Sequence, residues 1–137
     1  MTNNKIISED ILQADCWEWS WNHRPQTRRC IWHVPNGGDR KIVQAAQLKH
    51  MGVIAGVHDI HIYWSSQLYI VEFKVGTNTL SDSQIKYGIA MVAQGAIFYE
   101  CRSREKWERI VDGILENNPI PNNYSLLQQL AKERGIK

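Results

Sequence analysis

Residues 59–64, "DIHIYW", and residues 68–75, "LYIVEFKV", are two β-branched and aromatic runs with only "SSQ" between them. The simplest pairing across so short a gap is an antiparallel hairpin. Strand alternation then puts Ile70, Glu72 and Lys74 on one face of the sheet and Val71, Phe73 and Val75 on the other. A glutamate and a lysine thus stand side by side in a run otherwise suited to burial. An ion pair on a solvated strand is the plainer account, since most charged residues are surface residues. A functional account requires other residues to converge on the pair.

The rest of the chain supplies the elements to cover such a hairpin. Ser8 followed by Glu9 and Asp10 reads as a capped helix start, with Leu12, Cys16 and Trp19 at helical spacing and Pro25 as its latest end. Trp17, Trp19 and Trp21 on it are read as core, with a partner-facing surface as the alternative. "CIWHV" (30–34) predicts a strand, "PNGGD" a loop, and "RKIVQAAQLKHMG" a short helix closed by Gly52. Ser81 and Asp82 open a helix to about residue 93, and "AIFYECR" predicts another strand. Trp107, Ile110, Val111, Ile114 and Leu115 mark an amphipathic helix over 106–117. After "NNPIPNN", a last helix follows over 124–135. The order α, β, α, β, β, α, β, α, α predicts an α/β fold, one mixed sheet flanked by helices.

At 137 residues one domain suffices, with a core over about 8–116 and a C-terminal helical extension over 117–137. No apolar run approaches the ~20 residues of a membrane span. "MTNNKIISED" lacks the basic and then apolar character of a signal peptide, so the expectation is an intracellular, cytoplasmic protein. The three cysteines, Cys16, Cys30 and Cys101, have no CxxC spacing, which speaks against a disulfide framework or a structural zinc. Net charge is only +2, yet residues 22–50 carry Arg24, Arg28, Arg29, Arg40, Lys41 and Lys49 against the single acid Asp39. A basic surface of this kind suits a polyanion, and a merely solvated loop would look the same.

In the hairpin, Asp59 opens one strand and Glu72 lies on its partner, where opposed side chains are ~5 Å apart. Two carboxylates that close repel unless a cation lies between them, and oxygen ligands without sulfur suit Mg²⁺ or Mn²⁺. Lys74, one strand step on, would stand beside a metal-bound water. His58 and His61 flank Asp59 and spell a competing imidazole-carboxylate site for Zn²⁺ or Mn²⁺. Alternation sends His58 to the opposite face from Asp59 and His61, which ranks that site below the Mg²⁺ one.

The pattern Asp59, then Glu72-Phe73-Lys74, resembles the PD-(D/E)xK nuclease superfamily. "VPNGGDR", "QLKHMGVIAGVHD", "YIVEFK" and "LSDSQ", in that order, narrow the resemblance to the VRR-NUC family over roughly residues 8–115. Each motif is weak alone; together, in order and with compatible gaps, they are specific. The resemblance implies a restriction-endonuclease-like core in which Asp59, Glu72 and the backbone carbonyl of Phe73 ligate the metal. It further implies that Lys74 orients or deprotonates the attacking water, supported by Gln84, and that Glu9 of the first helix joins the site with Gln13 one turn later. Asn36, Arg40, Lys41 and Lys49 are the candidate nucleic-acid contacts. The implied activity is Mg²⁺-dependent hydrolysis of DNA phosphodiesters at branched or Holliday-junction-like sites by a homodimer. A catalytically silent DNA-binding or assembly module, or a ribonuclease, are the alternatives. The family step carries proline before the aspartate, where this chain has His58.

Overall fold

Ser8 starts the first helix as expected: its hydroxyl accepts from the Ile11 N–H at 3.2 Å, and Glu9 and Asp10 occupy the electropositive first turn. The computed structural model describes residues 8–35 and 42–137. Its elements are helix α1 (Glu9–His23), strand β1 (Ile31–His33), α2 (Ile42–His50), β2 (Ile60–Trp64), β3 (Gln67–Phe73), α3 (Asp82–Ala93), β4 (Ile97–Cys101), α4 (Arg104–Leu115) and α5 (Tyr124–Arg134). The four strands form one mixed sheet in the order β1-β2-β3-β4. The first three are antiparallel to their neighbours, and β4 returns parallel to β3 through the crossover helix α3.

The two faces of β3 lead to two cores. Tyr69, Val71 and Phe73 pack with Leu12, Cys16 and Trp19 of α1 and with Trp107, Ile110, Val111 and Ile114 of α4. Ile70 points the other way, into a second core with Leu80, Ile85, Phe98 and, from α5, Leu127, Leu130 and Ala131. The C-terminal helix is therefore part of a layer of the fold: Gly88 of α3 lets Leu127 come so close that a Cβ there would lie 2.8 Å from its methyl carbon. Of the three tryptophans of α1, Trp19 is buried, whereas Trp17 stacks on an exposed Trp21 at 5.2 Å. Arg24, counted in the basic stretch, instead grips Asp112 of α4 with two hydrogen bonds of 2.6 and 3.0 Å and lies over the Trp19 ring. No helix among the described residues is long and apolar enough to cross a membrane.

The β2–β3 turn is Ser65-Ser66, closed by the Trp64–Gln67 pair, and both serines have positive φ, 49° and 62°. Such two-residue turns favour Asn-Gly because L-residues with a full Cβ are strained there. Replacing Ser65 by Asn and Ser66 by Gly should stabilise the chain by about 1 kcal/mol, which raises Tm by roughly 4 °C. Thermal unfolding followed by circular dichroism measures this, and an unchanged or lower Tm would show the turn to be unstrained.

Candidate active site

The hairpin register decides which side chains meet. Ile60 pairs with Val71, so Asp59, one residue before β2, falls opposite Glu72. Asp59 leaves the ladder at this point and closes it with its side chain: Oδ2 accepts from the Phe73 N–H at 2.9 Å. Its own carbonyl accepts from the Val34 N–H at 3.0 Å and from the His33 ring at 2.7 Å. Gln13 of α1 touches the same His33 nitrogen at 2.9 Å. Asp59 is thus held by both neighbouring strands.

Glu72 is 1% exposed, and its Oε1 has no hydrogen-bond partner among the described residues. Burial pushes its carboxyl up to about 10; the hydrogen bond to Asp59 and the charge of Asp59 add to the rise, Lys74 opposes it and Glu9 adds a little more. At neutral pH the bare pair therefore keeps a proton on Glu72. Lys74 follows the last residue of β3, still in register through its N–H to Cys101 O at 3.1 Å, and is itself buried. Its Nζ lies 3.8 Å from Glu9 Oε1. Asp59, Glu72, Lys74 and Glu9 come together at one end of β3, which a solvated ion pair on an open strand does not do.

Two carboxyls in contact, one with a buried unpartnered oxygen, fit a hard divalent cation. Among the described residues no group of three His, Cys, Asp or Glu side chains is arranged to hold a metal. A cation here would draw on Asp59 and Glu72 and complete its shell from backbone oxygen and water, as Mg²⁺ does readily and zinc does not. The N–H and C=O of one strand residue point to the same side. Since the Phe73 N–H faces Asp59, its carbonyl lies on that side as well.

The histidines differ from expectation. His58 does not point away from His61: both rings pack against Tyr87 of α3, at 5.0 and 5.9 Å. His58 precedes β2, so strand alternation does not govern it. Its Nε2 is 2.9 Å from Gln84 O, and since a carbonyl only accepts, Nε2 carries the proton and donates. Burial lowers its pKa to about 4, which leaves the ring neutral. His61 Nε2 bonds the Tyr87 hydroxyl at 2.6 Å. Each imidazole is thereby engaged inside the protein through Nε2, while each Nδ1 is buried with no hydrogen-bond partner among the described residues.

Gln84 opens α3 in a capping box. Its Oε1 accepts from the Ser81 N–H at 2.8 Å, and its own N–H donates to Ser81 Oγ. Its amide NH₂ takes no part in the capping box. Beneath it, Gly56 (φ +87°) runs so close to α3 that a Cβ would sit 2.2 Å from Ser83 O. Lys49 is exposed in the last turn of α2, while Asn36, Arg40 and Lys41 lie outside the described residues. Two residues of this neighbourhood were not singled out in the sequence: Asn78, whose Nδ2 donates to Glu9 Oε2 at 2.8 Å, and Arg102, which holds the loop carrying Asn78. Nothing in their local pattern marks them, because they act across 69 and 24 residues of chain.

No family model matches the chain, and no curated protein matches it. A solved structure described as a VRR_NUC domain protein does match, with a TM-score of 0.68 and 19% identity, over 85% of this chain and 95% of that one. The chain therefore has the restriction-endonuclease-like α/β fold that the sequence motifs led one to expect, with a VRR-NUC domain as its structural counterpart.

Proposed function

We propose that this chain is a metal-dependent nuclease of the VRR-NUC kind, hydrolysing DNA phosphodiester bonds at branched or otherwise structured sites. The observation that carries the reading is the buried Glu72 carboxyl set against Asp59 with Lys74 beside it. Asp59, Glu72 and the Phe73 carbonyl would hold Mg²⁺, or Mn²⁺ in its place. Such a cation, when bound, lowers the pKa of a coordinated water and neutralises a phosphate oxygen.

The residues of the chain do the rest. Asp59 keeps its place because the Phe73 N–H and the contacts of its carbonyl fix its side chain and backbone together. Glu72 would hold the cation as a carboxylate, its proton released to solvent. Lys74 holds an ammonium near the attacking water and offsets charge that builds on the phosphate. Glu9 orients that ammonium, and Gln84 offers its amide to the water. Lys49 contacts the DNA backbone, with Asn36, Arg40 and Lys41 as further contacts. A domain of this size reaches a two-fold substrate such as a four-way junction by isologous pairing, so the working unit is a homodimer.

The test is a cleavage panel. Linear, flapped and four-way DNA, each beside its RNA counterpart, are incubated with the protein and Mg²⁺, Mn²⁺ or EDTA. Cleavage that needs the metal and is fastest on flapped or four-way DNA is expected. Cleavage of RNA alone would move the substrate to RNA, and binding without cleavage of anything would leave a silent module.

A further inference from the structure

The guanidinium of Arg102, just beyond β4, is committed to the loop between β3 and α3. Nε donates to Glu100 Oε1 at 2.8 Å, Nη1 to Gly76 O at 3.0 Å, and Nη2 to Asn78 O and to Glu100 Oε2. The Asn78 N–H donates in turn to Val75 O at 3.1 Å. The backbone of Asn78 is thus fixed on both sides before its side chain does anything. That side chain reaches across to α1, where Nδ2 donates to Glu9 Oε2 at 2.8 Å, while the other oxygen of Glu9 faces Lys74 Nζ at 3.8 Å.

The division of labour within Glu9 matters. Lys74 is buried and its ammonium has little room to move, whereas the Glu9 side chain is 31% exposed and keeps rotamer freedom that a contact at 3.8 Å does not by itself remove. A short hydrogen bond from an amide on an anchored loop does fix the carboxylate, and charge-assisted bonds of this kind are the strong ones. We propose that Asn78, held in place by Arg102, is a positioning residue that sets the carboxylate of Glu9 and through it the ammonium of Lys74. This rests on the nuclease reading above. The side-chain amide adds nothing to the loop's own backbone bonds, so its role can be separated from that of a loop filler.

Asn78 is exposed, and Asn78→Asp keeps its shape while turning the donor toward Glu9 into a second negative charge. Steady-state cleavage of the best DNA from the panel is measured for the unaltered chain, Asn78→Ala and Asn78→Asp, with Tm recorded for each. Asn78→Ala should lower kcat about tenfold and Asn78→Asp about a hundredfold, with KM within about twofold and Tm within about 2 °C. An Asn78→Asp enzyme at full kcat beside an active unaltered chain overturns the positioning role and leaves the nuclease reading standing. So does a loss of kcat that tracks a fall in Tm. Absence of cleavage by the unaltered chain brings down both.

Discussion

Glu72→Gln and Lys74→Ala should each lower kcat for DNA cleavage by roughly 10²–10⁴-fold, while affinity for the same DNA in Ca²⁺ or EDTA should stay within about threefold. The reasoning separates chemistry from adhesion. Glu72 is 1% exposed and Lys74 7%, so neither has much surface with which to hold a duplex. On the proposed nuclease reading, what they would offer is charge in a confined space beside the scissile phosphate, where water does not screen it. Glutamine keeps the volume of Glu72 and loses only the ionisable oxygen. A gel-based cleavage assay run beside fluorescence anisotropy reads both quantities, and full activity in both variants would remove the site from consideration.

The same Glu72→Gln change should make the metal-free protein more stable, by at least about 1 kcal/mol at neutral pH, or ~4 °C in Tm. An unfolded glutamate ionises in the ordinary carboxylate range, whereas the folded one holds its proton up to about 10. A group whose pKa is raised by folding lends stability at low pH and loses it as pH rises toward the folded value. Unaltered protein in EDTA should therefore weaken from about pH 4.5 toward pH 10, and the glutamine variant should lack this part of the slope. Adding Mg²⁺ should recover the deficit in the unaltered protein alone, since a ligand that binds only the folded state stabilises it by mass action. Scanning calorimetry across pH with and without metal measures each of these. A glutamine variant that melts below its parent in EDTA would contradict the buried, proton-holding carboxyl.

The hairpin was legible because the gap was short and alternation is strict, but its register was not: Gln67, read as part of the gap, joins β3 opposite Trp64, and the two-residue turn that remains puts Asp59 opposite Glu72 once Ile60 meets Val71. The capped starts of α1 and α3 were legible because Ser8 and Ser81 act within three residues of themselves. Alternation failed at His58, where the chain is not yet a strand and the ring turns to the α3 side beside Tyr87. Arg24 read as a free cation because its partner, Asp112, is 88 residues away. Asn78 and Arg102 stayed hidden for the same reason. Contacts between side chains brought together only by the closed sheet leave no periodicity in the sequence.

The Ser65-Ser66 turn and the carboxylates stand at opposite ends of the same ladder with five residue pairs between them, about 20 Å at the rise of a strand. That separation makes the turn a mounting point. If the chain is a nuclease as proposed, a fluorophore or surface tether fixed there would report on docking and release of nucleic acid without touching the carboxylates.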